Sequence, residues 1–249
     1  YPSLDTIPAV DYAPLLMIHE NPFISAFIRI PEWTWKNRLR HFLATSRWVP
    51  NFIQDFSPIK GYEKFRNLHE GDIVIDAGAF PGDYALFAAK KVGSRGHIYA
   101  LEPSPANRKL LERNIQKSGL ENITILPKGL WDRSTTLTIQ EQGLAAQVKT
   151  AESDDVIDVV PLDLLVKELQ LEQLDVLKMD IEGAELQALA GAEKTLKHFK
   201  PYTCVASYHI VNGETTAGRV EKLLKQAGLQ VRTDYPKHLT TYACEKSLF

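Results

Sequence analysis

Five ionisable side chains stand where apolar runs stop. Asp76 follows Ile73-Val74-Ile75, and Glu102 follows Ile98-Tyr99-Ala100-Leu101. Lys178, Asp180 and Glu182 occupy alternate positions in LDVLKMDIEGAELQALAGA, Leu174–Ala192. A charge at the end of a buried strand is costly unless a partner, water or a ligand meets it. Asp76 and Glu102 together suit a ligand with a cationic group at one end and a diol at the other. Side chains two apart on a strand share a face, so Lys178 and Asp180 point into one space, where they suit proton transfer or the orientation of a polar acceptor.

The residues after Asp76 narrow the ligand. IVIDAGAFPGDYALF reads as strand, turn and a helix opening at Asp83. Gly78 and Gly82 permit positive φ and a close main-chain approach, and the helix start aims free N–H groups at the same space. A nicotinamide dinucleotide site asks for Gly-x-Gly-x-x-Gly with its pyrophosphate on the helix N-terminus. Here Ala79-Phe80-Pro81 fills the middle of the loop, and Asp76 repels a pyrophosphate but attracts an ammonium group. Glu102, at the end of the second strand, is placed for a ribose diol. S-adenosylmethionine, with adenosine at one end and a cationic amino acid at the other, fits both carboxylates.

The elements that must hold these groups follow from the pattern. Strands and helices alternate from Gly71 on, as in a parallel sheet covered on both faces. Ile73–Asp76, Ile98–Leu101, Ile123–Leu126, Leu174–Met179 and Thr203–Ser207 read as core strands. Ser104 caps a helix that has Pro105 at its first position and Leu110, Leu111 and Ile115 as its inner stripe. Thr135–Ile139 and Val156–Val160 form an antiparallel excursion before a short helix at Leu162–Leu169. A helix with Val220, Leu223, Leu224 and Ala227 inward stops at Gly228. Leu229–Thr233 and Thr240–Cys244 close the chain as an antiparallel pair.

Residues 1–60 differ, being rich in Pro, Trp, Phe and Arg. After Pro31, the residues Trp35, Leu39, Phe42 and Leu43 recur at helical spacing among Lys36, Arg38, Arg40 and Arg47. They form a helical extension that packs on the core, covers the substrate mouth as a lid, or touches a membrane surface. Residues 61–249 form the cofactor-binding domain.

Composition bounds the function classes. The chain has 249 residues, 44% hydrophobic and 24% charged, with a net charge of −2, so no basic face argues for nucleic acid. Its two cysteines, Cys204 and Cys244, lie in apolar strand-like runs and read as core thiols of a reducing, cytoplasmic compartment. No run of eighteen apolar residues and no cationic start before an apolar core argue for a membrane span or a secretory signal. The chain opens without Met, so the native start is expected upstream.

The chain resembles the FkbM family of S-adenosylmethionine-dependent methyltransferases. The resemblance runs over roughly Gly71–Ser207 and rests on IDAGAFPGDYALF, ALEPSPANRKLLERN, the Leu162-Asp163 pair ahead of a helix, and LKMDIEGAELQALAGA. It implies a class I methyltransferase fold of the α/β, Rossmann-like type, with a seven-stranded, mostly parallel sheet ending in an antiparallel hairpin. It also implies methyl transfer, usually to an oxygen on a sugar or natural-product hydroxyl. On matching positions, Asp76, Gly78 and Gly82 contact the methionine part, with Ala79, Phe80, Tyr84 and Asp180 in the same wall, and Glu102 contacts the ribose. Ser104 and Asn107 line the adenine and ribose edge, helix capping being the alternative. Trp131 stacks on adenine, or packs, and Asp132 accepts from the adenine amino group. One departure is visible: CVASYHI places Ser207 where the family tends to carry Glu, and keeps His209.

Methyl transfer from a sulfonium needs in-line placement and removal of the hydroxyl proton, because the leaving thioether is neutral. A histidine near its free pKa does this at neutral pH, which makes His209 the candidate general base, with Asp180 or Glu182 as alternatives. Lys178 completes the catalytic set; an internal ion pair is its alternative, as a first-turn helix anion is for Glu185. Asp180 with Glu182 offers two donors to a divalent cation, but the pair is a modest signal and no metal is assigned. The expected partner is a small-molecule or saccharide acceptor. The rival readings are a nicotinamide-dependent oxidoreductase and a non-catalytic relative of the fold. Nucleic-acid amino methylation is disfavoured by the absence of an Asn/Asp-Pro-Pro-aromatic motif.

Overall fold

β-Branched and apolar runs that can be buried on both faces become the central strands. These are Ile73–Ala77 (β1), His97–Leu101 (β2), Ile123–Leu126 (β3), Val176–Met179 (β7) and Tyr202–Ala206 (β8). The computed structural model describes residues 61–138, 156–211, 213–234 and 239–245. The helix expected around Trp35–Leu43 lies outside the described residues, as do Ile139 and Asn212.

Gln230–Asp234 (β11) and Thr240–Cys244 (β12) complete a seven-stranded sheet of order β11-β12-β8-β7-β1-β2-β3. Strand β12 runs antiparallel to both its neighbours, and the other pairings are parallel. This is the class I methyltransferase architecture expected from the sequence; of its closing pair, β11 begins and ends one residue later than read and β12 has the bounds expected. The chain winds one way from β1 through β2 to β3 and the other way from β7 to β8. The order therefore switches between β1 and β7, where the carboxyl ends of strands open a ligand crevice.

Right-handed crossovers in opposite directions put helices on both faces. Asp83–Val92 (α1) and Pro105–Ser118 (α2) cover one face. Leu162–Glu168 (α3), Glu185–Ala190 (α4), Glu193–Phe199 (α5) and Ala217–Gln226 (α6) cover the other. The larger core lies under that second set, with Ile75, Leu177, Met179, Leu196 and Leu224 each no more than 1% exposed. Asp163 of the Leu162-Asp163 pair falls inside α3, not ahead of it. Its carboxylate accepts from the Lys194 and Thr195 N–H groups at 3.1 and 2.7 Å, so it caps α5 and ties two helices together.

The expected excursion is a separate three-stranded sheet. Thr135–Thr138 (β5) pairs antiparallel with Val156–Val160 (β6), and Gly129–Leu130 (β4) adds to the other edge of β6 in parallel. Two two-residue strands, Ile210–Val211 (β9) and Glu214–Thr215 (β10), form a small hairpin just before α6. Cys204 is buried and Cys244 half-buried, neither in a disulfide, so only the first is a core thiol in the sense expected. Among the described residues no helix is long and apolar enough to cross a membrane.

Candidate active site

Parallel pairing of β1 with β7 sets Asp76 directly beside Lys178. The ammonium lies 2.9 Å from Asp76 Oδ1 and donates to the Gly78 carbonyl at 2.8 Å. Asp76 is fully buried and Lys178 5% exposed. Burial pushes the Asp76 carboxyl up to about 6 against the pull of Lys178. For Lys178, burial acts downward and is outweighed by the charges of Asp76 and Asp180, so the amine stays a cation. Of the two readings of Lys178, the ion pair is the one the geometry displays. Asp76 Oδ2 is buried without a hydrogen-bond partner among the described residues, which leaves acceptor capacity for a cationic group at the turn.

Gly78 sits at φ 78°, and a Cβ on it would lie 1.9 Å from the Asp180 carbonyl oxygen, so no side chain fits where the β1 turn meets the end of β7. The Gly78 and Ala79 N–H groups both donate to the Leu101 carbonyl, at 3.1 and 3.0 Å. Gly82, at φ 104°, is the N-cap of α1, and the Asp83 carboxylate takes the Tyr84 N–H at 2.8 Å, using one of the helix donors expected to face a ligand. Asn114 pins the loop through Pro81 O at 2.9 Å and is buried, whereas Leu110, read as part of the inner stripe of α2, is half-buried. Tyr84 is 2% exposed, with its ring 5.9 Å from Lys178 Nζ, behind the turn.

Glu102, one residue past β2, is 5% exposed and accepts the Ser104 N–H at 2.9 Å. Burial raises its pKa while bonds from Ser104 and Asn107 oppose the rise. Ser104 Oγ accepts the Asn107 N–H at 3.5 Å, which is the capping role, and Arg108 holds the turn through the Glu102 and Pro103 carbonyls. Trp131 is 7% exposed and packs with Leu137, Ile157 and Val159, so the indole is a core residue of the small sheet. Asp132 is exposed and lies 3.2 Å from Arg133.

At the ends of β7 and β8 the tertiary structure adds what spacing alone did not supply. His209 Nδ1 is 3.0 Å from Glu185 Oε1, and its Nε2 is 3.3 Å from Glu182 Oε2 and 3.9 Å from Asp180 Oδ1. Neither nitrogen has a hydrogen-bond partner among the described residues. Burial alone would lower the His209 pKa, but the contacts with Glu182 and Glu185 and the charges around them push it up to about 10. The expectation of a histidine near its free pKa is thereby corrected: among these carboxylates the imidazole is cationic at neutral pH.

Glu185 is fully buried and also accepts the Ile181 and Gly183 N–H groups at 3.2 and 3.1 Å, which is more than a first-turn helix anion does. Glu182 takes φ 57°, uncommon for a side-chain-bearing residue, and turns its carboxylate outward, 58% exposed. Two tyrosines absent from the sequence-derived site complete it. Tyr62 OH donates to Asp180 Oδ2 at 2.9 Å, and Tyr208 OH donates to Asp180 Oδ1 at 3.3 Å. Tyr208 adjoins His209 in CVASYHI and was within reach of inspection; Tyr62 lies 118 positions from Asp180 and carried no signal. Ser207 is fully buried, and its hydroxyl pairs with that of Thr241 at 2.7 Å, so at this position the chain has a sheet contact in place of a carboxylate.

Comparison with known proteins follows the same lines. Residues 76–231 match the profile of the methyltransferase FkbM domain. The chain is 25% identical over 247 residues to the methyltransferase sdnD of Sordaria araneosa, spanning 84% of this chain and 93% of that protein. It is 28% identical over 170 residues to the hexuronic acid methyltransferase AglP of Haloferax volcanii, 64% of each chain. Among solved structures, the methyltransferase FkbM of Methylobacillus flagellatus KT superposes with a TM-score of 0.55 at 17% identity. That match covers 94% of this chain, which spans 60% of the length of the other.

Proposed function

The chain belongs to the FkbM methyltransferase family, and from that premise we propose that it moves a methyl group from S-adenosylmethionine to a hydroxyl oxygen of a sugar, glycan or natural-product small molecule. The observation that carries this reading is the placement of Asp76, Glu102 and Asp180 at the carboxyl ends of three neighbouring strands, around a turn whose Gly78 touches Asp180. Asp76 and the unpartnered Oδ2 suit the ammonium end of the donor, Glu102 suits the ribose diol, and Asp180 lies between them and the acceptor side. Gly78, Ala79, Phe80, Gly82 and Tyr84 form and back the turn against which the methionine part rests. Ser104, Asn107 and Asp132 are the groups available to the adenosine edge.

When bound, the donor supplies an electrophilic methyl carbon. An acceptor oxygen would attack that carbon, the carbon–sulfur pair would return to sulfur, and the hydroxyl proton would leave to a carboxylate of the cluster, Asp180 or Glu182. Because His209 is already cationic, the lone pairs open to a proton belong to the carboxylates. Lys178 acts by holding Asp76 and the Gly78 carbonyl in place. The saccharide branch is supported by similarity to a protein named for a hexuronic acid. Acceptor choice is assigned to the extension of residues 1–60 and to residues 212–216, and a cytoplasmic, nucleic-acid-free setting belongs to the same reading.

The test is calorimetry with S-adenosylmethionine, S-adenosylhomocysteine and NADH, followed by mass spectrometry of hydroxylated acceptors incubated with labelled donor. Association with the first two and label on oxygen is the expected result. Binding of NADH alone would replace the proposal with the oxidoreductase reading.

A further inference from the structure

Resting on that methyl-transfer reading, we propose that Asp180, Glu182 and His209 bind a divalent first-row transition-metal ion that takes the acceptor oxygen as a further ligand. One ligand atom from each of the three lies within 4.8 Å of the other two. Oxygen and nitrogen ligands about 2.1 Å from a cation stand roughly 3 Å apart when adjacent and about 4.2 Å when opposite. The distances from Nε2, 3.3 Å to Glu182 and 3.9 Å to Asp180, are of that size, and the exposed Glu182 side chain has freedom to close the set.

The independent observation is the imidazole itself. His209 has 10% of its side-chain surface exposed, and both nitrogens are buried without a hydrogen-bond partner among the described residues. Glu185, fully buried and pinned by two main-chain N–H groups, stands 3.0 Å from Nδ1. A carboxylate on the far nitrogen of a metal-bound histidine fixes the ring and leaves the near nitrogen's lone pair for the ion. With Glu185 beside Nδ1, an ion that displaces the Nε2 proton takes that nitrogen's lone pair and replaces the imidazolium charge between the two carboxylates.

Charge points the same way. Asp180, Glu182 and Glu185 converge on one imidazole, and the neighbouring Lys178 is held by Asp76. Among the described residues, the other side chains bonded to Asp180 are the neutral Tyr62 and Tyr208 hydroxyls. One imidazole with two carboxylates suits Mn²⁺, Fe²⁺ or Zn²⁺ better than Ca²⁺ or Mg²⁺, which prefer oxygen alone. The open side, beyond Glu182, faces solvent. A hydroxyl bound there has its pKa lowered by the ion, releases its proton to water, and attacks the methyl carbon as the carbon–sulfur pair returns to sulfur.

The test uses the whole chain, stripped with a chelator and titrated with MnCl₂. Binding is followed by electron paramagnetic resonance and calorimetry, with S-adenosylhomocysteine titrated into the same samples. One saturable Mn²⁺ per chain is expected, weakened at least tenfold in Glu182→Gln and in His209→Gln, while both variants still bind S-adenosylhomocysteine. Glu182 is exposed, so its variant keeps the fold if His209→Gln does not. A chain that binds S-adenosylhomocysteine but no Mn²⁺, or binds Mn²⁺ equally well in the Glu182→Gln variant, overturns the metal site and leaves methyl transfer standing. Mn²⁺ binding that depends on Glu182, in a chain that ignores S-adenosylhomocysteine, supports the metal site and removes the methyl-transfer reading.

Discussion

The carboxyl ends of β1 and β2 and those of β7 and β8 face the same crevice, yet they treat charge in opposite ways. At β1 and β2 the side-chain carboxylates are almost wholly buried and anchored: Asp76 by Lys178, Glu102 by the Ser104 N–H. At β7 and β8, Glu182 is exposed on a left-handed residue, and Asp180 and His209 keep part of their surface open. On the proposed methyl-transfer reading, the difference follows from what each half would do. A donor of fixed shape rewards a preorganised site, since ordering it costs nothing further on binding. An acceptor that must lose a proton needs charge within reach of it, which full burial and pairing would deny.

The anchored half is where substitution costs most. Lys178→Met leaves Asp76 buried without its counter-ion and is expected to cost about 3–5 kcal/mol of stability, read by denaturant unfolding. A loss under about 1 kcal/mol would mean that the carboxylate finds another partner and that this half is less rigid than described. Gly78→Ala puts a Cβ against the Asp180 carbonyl at a positive φ and should cost about 3 kcal/mol, with S-adenosylhomocysteine binding abolished in calorimetry.

Glu102→Gln keeps shape but removes a charged acceptor, and should weaken S-adenosylhomocysteine by about tenfold or more with little change in melting temperature. The pH dependence sharpens the same half. Asp76, with its pKa pushed up to about 6, is charged above that pH and neutral below it. Affinity for S-adenosylmethionine should therefore fall on going from pH 7 to pH 5, by about tenfold. The fall should vanish in Asp76→Asn and for 5′-methylthioadenosine, which has no ammonium group. In the open half, Glu182→Gln should shift stability by no more than about 0.5 kcal/mol and leave donor affinity unchanged. A large destabilisation there would erase the contrast.

Much of the donor half was legible in the chain because each part is local. Ile73 to Phe87 carries strand, turn glycines and helix start in one run, and Ser104-Pro105 announces the next helix beside Glu102. The small sheet was half legible: the antiparallel β5–β6 pair follows from its β-branched residues, but Gly129–Leu130 joining β6 in parallel does not. Trp131 was ambiguous for the same reason, since only the packing of that sheet assigns its ring to the core. Leu110, read as part of the inner stripe of α2, is half-buried, while Asn114 on the same helix is buried and donates to the loop carbonyl of Pro81.

By itself the sequence determined the strands, the glycine turn, the fold and the acidic groups at the strand ends, since periodicity and turn chemistry act over a few neighbours. Only the tertiary structure decided how those charges are spent. Lys178 reaches Gly78 across 100 positions because β7 lies beside β1 in the sheet, and Tyr62 reaches Asp180 across 118. The state of His209 was decided there too. A pKa is set by the charges that surround a group in space, and Glu182, Glu185 and Asp180 meet the imidazole only after β7 and β8 are laid side by side.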